Sequence, residues 1–140
     1  MTVDDAYRIQ LIQEQTHLAA GRVLAGRKVG LTSLAMQQQL GIDSPDFGYF
    51  FADMVHHDGD AIAVDQFIAP RVEPEFAFVL GTELAGPGVT LEMAARAVVR
   101  VHASLEIIDS RIVDWRIGLV DTVADNAPCG AIVLGPELVG

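Results

Sequence analysis

The sequence predicts an α+β fold built on a mixed β-sheet. Apolar strand-like runs and amphipathic helical segments both occur, and they come mixed along the chain instead of in strict alternation. The chain has 140 residues and 51% of them are hydrophobic, which suits one domain with a real core. We find no internal repeat and no low-complexity tract.

The first helix is predicted at residues 4–20. Acidic residues at its start complement the helix dipole, and Gly21 ends it. Its apolar stripe is predicted to consist of Tyr7, Leu11 and Leu18, which recur at helical spacing.

An extended segment is predicted next, and it reaches a loop at Thr32. A short helix follows in SLAMQQQLG, with Ser33 or Thr32 as its N-cap and Gly41 as its C-cap. The segment IDSPDFG then reads as a loop.

The middle of the chain is predicted to contain strands. YFFADMV and AIAVDQFI are strand-like, and the Asp-Gly pair in HHDGD marks a tight turn between them. Residues 76–80 read as a buried strand that Gly81 closes.

The last third is predicted to add one helix and two strands. TLEMAARAVVRVH reads as a helix capped by Thr90, and ASLEIIDSRI reads as a strand, although helix and strand are hard to separate there. DWRIGLVDTVADNAPCG has loop character, and AIVLG forms the closing strand.

The formal net charge of −10, from 19 acidic and 9 basic residues, argues against nucleic acid or an anionic membrane as a partner. A small anionic substrate needs only a local positive centre. Cys129 is the single cysteine, so no internal disulfide can form and a reducing compartment is favoured. No signal-peptide pattern or membrane-spanning apolar run is present. A soluble, cytoplasmic protein is expected.

A pair of glutamates lies beside an apolar run, in the segment at residues 69–81. Glu73 and Glu75 are two positions apart, so in a strand both point to one face, about 6.6 Å apart along the chain. Two carboxylates so close would repel, and one would hold a proton unless a divalent cation met them. Pro74 lacks an N–H for the ladder and suits an edge or a bulge. The pair is therefore either a solvated edge that resists aggregation or part of a cation site.

Glu106 is a third acid in apolar company, within SLEIIDSR. Alone, it reads as a half-buried, paired acid. Beside the first pair it would complete one face of an oxygen-rich octahedron, which is how Mg²⁺ prefers to be held. Taken with Glu73 and Glu75, the cation site becomes the better interpretation.

Two further residues could carry chemistry. Lys28, in GRKVGLTS, could bind a substrate carboxylate or stabilise an enolate, and the alternative is an outward-pointing strand lysine. Asp46, in a predicted loop beside Phe47, could act as a general base with a raised pKa. It could equally be a turn residue that makes local backbone hydrogen bonds.

Four segments carry a resemblance that runs in order through nearly the whole chain: GRKVGLTSLAMQQQLGIDSPDFGYFFADM, PRVEPEFAFVLG, SLEIIDSRIVDW and LVDTVADNAPCG. The ordered set resembles the 2-keto-4-pentenoate hydratases (2-hydroxypenta-2,4-dienoate hydratases) of the fumarylacetoacetase-like superfamily. The resemblance implies a β-roll with flanking helices, assembled into homo-oligomers. It also implies a lyase that hydrates a 2-hydroxy-2,4-dienoate to a 4-hydroxy-2-oxo acid in aromatic or steroid ring degradation.

The same resemblance assigns roles to the five acids and bases. The family's ExE pair and downstream glutamate match Glu73, Glu75 and Glu106, which implies that they bind Mg²⁺ or Mn²⁺. The lysine of the KVGLT motif matches Lys28, and the acid of the PDFG motif matches Asp46, which implies catalytic roles. The implied partner is a small anionic 2-oxo acid.

The family continues beyond VLGPELVG and usually begins earlier. Residues 1–140 are therefore expected to be the N-terminal and central part of one hydratase-like domain, with an incomplete β-roll. The 4-oxalocrotonate decarboxylases are similar over the same motifs, although SRIVDW and DTVADNA favour the hydratases. A further alternative is a non-catalytic fragment that packs with a full-length homologue, and the complete set of predicted ligands argues against it.

Overall fold

The computed structural model describes residues 1–40, 42 and 44–139. The helices are α1 (Val3–Ala19), α2 (Leu34–Leu40), α3 (Leu91–Ala97) and α4 (Leu119–Ala124). The strands are β1 (Leu24–Gly30), β2 (Asp46–Phe51), β3 (Val55–His57), β4 (Arg71–Leu80), β5 (Val98–Ile108) and β6 (Cys129–Val139). Gly41, the predicted C-cap of the second helix, lies outside the described residues. Within them, no helix has the length and hydropathy needed to cross a membrane.

The sheet topology confirms the α+β class with a mixed sheet. Strands β1 and β2 pair with each other in antiparallel fashion. The larger sheet has the order β3-β6-β5-β4, with β3 parallel to β6 and the other pairs antiparallel. Strand β4 is thus an edge strand, where Pro74 is tolerated because its missing N–H removes no bond from a central ladder.

The first helix forms where predicted but buries a different face. Thr2 caps it, since its hydroxyl accepts the N–H of Asp5 at 3.2 Å. The buried residues of α1 are Ala6, Gln10 and Glu14, whereas the predicted stripe residues Leu11 and Leu18 are 51% and 41% exposed and Tyr7 is only half-buried. The predicted stripe is therefore wrong.

Polar side chains face inward on α1 because each finds a partner. The Gln10 amide donates to the carbonyls of Phe47 at 2.8 Å and Val123 at 2.9 Å. The Glu14 carboxylate accepts both N–H groups of the Arg27 fork, at 2.8 and 2.7 Å. A buried polar group with a hydrogen bond avoids the penalty of desolvation, so these residues tie α1 to β1, β2 and α4.

Four predicted elements differ from the structure. The predicted strand YFFADMV is interrupted by a 3₁₀ turn at 52–54, which separates β2 from β3. Residues 61–68 contain a single 3₁₀ turn at 64–66 instead of a strand. The Ile68 N–H donates to the Asp109 carboxylate instead of to the backbone of a neighbouring strand. The predicted helix capped by Thr90 ends at Ala97, because the valine-rich residues that follow pair with β4. The predicted loop before Cys129 contains α4, whose first turn is capped by Asp121 accepting the Gly118 N–H at 3.0 Å.

The predicted burial of residues 76–80 is also wrong. Phe76 and Phe78 are 65% and 61% exposed, and Val72 on the same face is 60% exposed. Alternation along β4 puts these side chains on the face opposite Glu73 and Glu75. The exposed apolar surface on this face is therefore at the β4 edge of the sheet.

Candidate active site

Strands β4 and β5 bring three acidic side chains to one place. Glu73 lies directly opposite Glu106, and Glu75 lies opposite Ser104, in the antiparallel register. Residues opposite each other share a face of the sheet, so all three carboxylates project from the same side. One carboxylate oxygen from each residue lies within 4.8 Å of the others. The structure therefore gathers Glu73, Glu75 and Glu106 as the sequence predicts.

Glu106 is the buried member of this cluster. It is 4% exposed, and burial raises the pKa of its carboxyl, against the lowering effect of Lys28. The nearby charges of Glu73 and Glu75 raise that pKa further. Like charges facing each other across a strand pair are destabilising, and a hard cation with oxygen ligands would relieve this repulsion. The donor set fits such an ion.

Lys28 supplies the positive charge that meets Glu106. Its side chain, on β1, is buried, with Nζ 2.7 Å from Glu106 Oε1. Both side chains are buried, so this is a close ion pair shielded from water. Nζ also donates to the carbonyl of Ala127 at 2.7 Å. The alternative of an outward-pointing lysine is therefore wrong.

The backbone around Lys28 is shaped to hold it. Gly48 lies opposite Lys28 across β1 and β2, and a Cβ at Gly48 would stand 3.0 Å from Lys28 Cγ and 2.7 Å from the Asn126 carbonyl. Asn126 and Ala127 have positive φ angles of 59° and 49°. The Asn126 side chain ties this turn to β2, accepting the Tyr49 N–H at 2.9 Å and donating to the Tyr49 carbonyl at 3.0 Å.

Asp46 lies at the start of β2 and not in a loop, so that prediction is wrong; pairing with Gly30 draws it into the strand. Its side chain is 2% exposed, and its Oδ1 has no hydrogen-bond partner among the described residues. Burial raises the pKa of its carboxyl, while Lys28 lowers it and Glu73 raises it slightly. Asp46 is thus a buried carboxyl with a raised pKa, and it lies near enough to Lys28 and Glu73 for their charges to act on it.

A cavity of about 370 Å³ opens beside these groups. Lys28, Asp46 and Glu73 line it together with apolar residues such as Leu31 and Ile108. Glu75 and Glu106 are not part of this lining. A separate cavity of about 480 Å³ contains none of the five predicted site residues. The first cavity combines charged groups with an apolar wall, which suits a small organic acid.

Sequence reasoning missed the residues that support this site. None of these residues carries a charge: Ser104, Asn126 and Ala127. The sequence pattern around Asn126, ADNAPCG, is typical of a loop and indicates no contact with Lys28 or Tyr49. Gly48 is the glycine of the PDFG motif, but its closeness to Lys28 depends on the pairing of β1 with β2. These contacts are long-range in sequence and could not be read from local pattern.

Comparison with known proteins identifies relatives. No protein-family model matches the chain. The chain is 52% identical over 136 residues to 2-keto-4-pentenoate hydratase 2 of Dechloromonas aromatica (strain RCB), covering 97% of this chain and 52% of that protein. It is 46% identical over 140 residues to a 2-hydroxypent-2,4-dienoate hydratase of Pseudomonas putida, covering 99% of this chain and 63% of that protein.

A solved structure resembles the fold. The 4-oxalocrotonate decarboxylase from Pseudomonas putida G7, complexed with magnesium and adipate, matches with a TM-score of 0.90 and 32% identity, over 96% of this chain and 51% of that one. The same decarboxylase complexed with calcium and acetate matches with a TM-score of 0.87. The chain spans about half the length of the curated relatives it matches. The predicted relationship is confirmed: over nearly its whole length, this chain is similar to about half of a 2-keto-4-pentenoate hydratase.

Proposed function

We propose that this chain serves the metal-dependent hydration of a 2-hydroxy-2,4-dienoate, which is a 2-oxo-4-enoate after ketonisation, to a 4-hydroxy-2-oxo acid in aromatic or steroid ring catabolism. The observation that carries the proposal is the convergence of Glu73, Glu75 and Glu106 beside the buried Lys28. The names of the curated relatives, at 52% and 46% identity, support hydration as the reaction.

Glu73, Glu75 and Glu106 would hold one divalent cation, Mg²⁺ or Mn²⁺. All three offer carboxylate oxygens, which hard cations prefer, and the magnesium and calcium in the related decarboxylase support this choice. When bound, the cation supplies Lewis-acid stabilisation of negative charge that develops on the substrate's 2-oxygen.

Lys28 would stabilise the same developing charge through its ammonium group. The lysine is buried and held by the Ala127 carbonyl, so little reorganisation is needed when charge develops in the transition state. The apolar wall of the cavity excludes water from much of the substrate and so strengthens this interaction.

Asp46 would move protons at the substrate's carbon chain. Its buried Oδ1, which has no hydrogen-bond partner among the described residues, and its raised pKa suit a group that accepts a proton and returns it. Asp46 lines the cavity with Lys28 and Glu73, but it is not among the carboxylates that come together as possible cation ligands. We therefore assign Asp46 a role separate from that of the three glutamates.

A second candidate is decarboxylation of a 4-oxalocrotonate-type acid. The similarity of fold to the 4-oxalocrotonate decarboxylase, with a TM-score of 0.90, favours it. The lower identity of 32%, against 52% for the hydratase relative, favours hydration. A third candidate is a non-catalytic subunit that packs with a full-length homologue, which the exposed apolar face of β4 supports.

The same proposal includes the setting of the chain. Residues 1–140 would be the N-terminal and central part of a single hydratase-like domain, acting in the cytoplasm on a small anionic 2-oxo acid. Self-association into a homo-oligomer would cover the exposed side chains of Phe76 and Phe78.

The test is an absorbance assay of the purified chain with 2-hydroxypenta-2,4-dienoate. We expect loss of the dienoate with Mg²⁺ and no reaction with excess chelator or in Glu75→Gln. Carbon dioxide release from 4-oxalocrotonate, with no hydration, would instead favour decarboxylation. Magnesium-independent turnover would contradict the metal role, and no turnover of either acid would favour the non-catalytic subunit.

A further inference from the structure

Ser104 is a buried hydroxyl that the proposed mechanism does not use. The residue is 5% exposed, and its Oγ has no hydrogen-bond partner among the described residues. Buried polar side chains nearly always have a partner. Because Ser104 lies beside a cluster of acids, its hydroxyl could gain a hydrogen-bond partner when a ligand binds or when a neighbouring side chain changes rotamer.

Another buried serine shows the contrast. Ser110 is 2% exposed and fully engaged: its Oγ donates to Asp125 Oδ2 at 3.1 Å and accepts the Ile112 N–H at 3.1 Å. The free hydroxyl of Ser104 is therefore not a general feature of buried serines in this fold.

The strand register places Ser104 within the cluster. It lies opposite Glu75 on β4 and opposite Leu134 on β6. It is also two residues before Glu106, so both point to the same face of β5. Its neighbour across one strand pair is therefore the aliphatic Leu134, and its neighbour across the other is the acid Glu75.

Glu75 is the acceptor that fits. Directly opposed residues have Cβ atoms about 4.5–5.5 Å apart, within reach of a serine and a glutamate. Glu75 makes no hydrogen bond or ion pair with any described residue, whereas Glu106 already has Lys28. A carboxylate accepts and a hydroxyl donates, so the two are chemically matched.

We propose that Ser104 is a positioning residue of the cation site, whose Oγ–H donates to the Glu75 carboxylate when a divalent cation gathers the three glutamates. This inference rests on the proposed function, because it requires Glu75 to be a ligand. The hydroxyl selects the rotamer of Glu75, an exposed member of the cluster, and residues around ligands commonly set affinity in this way.

The experiment measures Mg²⁺ affinity by titration calorimetry and thermal unfolding of the cation-free chain. We expect Ser104→Ala to weaken Mg²⁺ binding about three- to tenfold while the cation-free midpoint stays level or rises, since an unpaired hydroxyl is removed. Ser104→Thr keeps the hydroxyl and should restore the affinity. Ser110→Ala is the matched control, with a lower midpoint and unchanged affinity.

A double-mutant cycle sharpens the test. In a Glu75→Ala background, Ser104→Ala should have no further effect on affinity, because the acceptor of its hydroxyl is already lost. Equal Mg²⁺ affinity of Ser104→Ala and the unchanged chain would overturn this inference and leave the cation site standing. A fall in both midpoint and affinity, without rescue by threonine, would mark Ser104 as structural only. If the unchanged chain bound no Mg²⁺, the cation site and the role of Ser104 would both be wrong.

Discussion

Glu73 and Glu106 lie directly opposite each other in the antiparallel pair of β4 and β5. Glu75 joins them, with one oxygen of each residue within 4.8 Å of the others. Because like charges at such positions repel, the arrangement is costly without a cation and favourable with one. This relationship leads to the first prediction.

Glu75→Gln should weaken Mg²⁺ binding by roughly tenfold or more, which corresponds to about 1.4 kcal/mol. The substitution keeps the shape of the side chain and removes its charge. Titration calorimetry measures the affinity, with Glu83→Gln as the control because Glu83 is exposed and outside the cluster. Equal weakening by both substitutions would show a general charge effect and not a site.

Lys28→Met should destabilise the cation-free chain by about 3–5 kcal/mol at pH 7. It would leave Glu106 buried beside two other carboxylates without its ion pair. Lys28 is thus a structural partner of Glu106, and its loss should lower stability as well as turnover.

The deficit of Lys28→Met should depend on pH. The folded pKa of Glu106 is raised by burial, and the loss of Lys28 raises it further. Below that pKa the Glu106 carboxyl is neutral and no longer needs the positive charge of Lys28. The loss of stability in Lys28→Met should therefore shrink as pH falls through the folded pKa of Glu106. Urea unfolding at pH 7 and pH 5 measures it, and Lys28→Met with Glu106→Gln should recover most of the loss. A deficit that does not change with pH would contradict the pairing.

Asp46→Asn should reduce turnover by about 10²–10⁴-fold, as expected for the loss of a general base. Mg²⁺ affinity should change little, because Asp46 is not among the carboxylates that meet. If Asp46→Asn loses Mg²⁺ as severely as Glu75→Gln, Asp46 belongs with the cation ligands and the assignment of a base is wrong.

The stability of Asp46→Asn provides a second readout. Burial raises the folded pKa of Asp46, so its carboxyl favours folding at low pH, and that contribution is lost as pH rises through the folded value. The amide does not titrate. We therefore expect the variant to gain stability relative to the unchanged chain as pH rises from 4 to 7, as measured by thermal unfolding across that range.

Asn126→Ala should destabilise the chain by about 1–3 kcal/mol. It removes two hydrogen bonds to the Tyr49 backbone, each of typical net strength, and it leaves a residue without asparagine's tolerance at a φ of 59°. Chemical denaturation measures the loss, with exposed Gln38→Ala as the control. An unchanged midpoint would show that the tether does not stabilise the turn.

Phe76→Lys should reduce self-association of the chain. Phe76 and Phe78 are more than half exposed on the uncovered face of β4, and a charge there opposes burial against an apolar partner. Sedimentation velocity measures the change. Leu91→Lys is the matched control, since Leu91 is 88% exposed at the start of α3 and is not part of β4. A compact monomer for the unchanged chain would contradict self-association.

Local signals predicted the parts of the fold that depend on local chemistry. The cap of α3 by Thr90 and the turn at Gly59, with a φ of 89°, follow from side chains next to the backbone they serve. The alternation of Glu73 and Glu75 follows from strand geometry alone. The apolar neighbours of Glu106 led to the prediction that it joins Glu73 and Glu75. The pairing of β4 with β5 explains why the three carboxylates come together.

The failures arise where distant contacts decide. Gln10 and Glu14 look like surface residues of α1, yet partners more than ten residues away bury them. Val98 and its neighbours continue the periodicity of a helix, but pairing with β4 makes them a strand. Asp46 looks like a turn residue until Gly30 pairs with it. A single sequence contains no direct record of these pairings.

The edge position of β4 also bears on colloidal behaviour. An exposed strand edge invites sheet-to-sheet growth between chains, and inward-pointing charges are one way in which proteins discourage it. Glu73 and Glu75 place two carboxylates on this edge strand. A bound divalent cation would cancel two negative charges at this edge, so the chain should tolerate concentration best when free of metal. The chain should therefore be stored with a chelator, and the metal should be added only after the protein has been diluted.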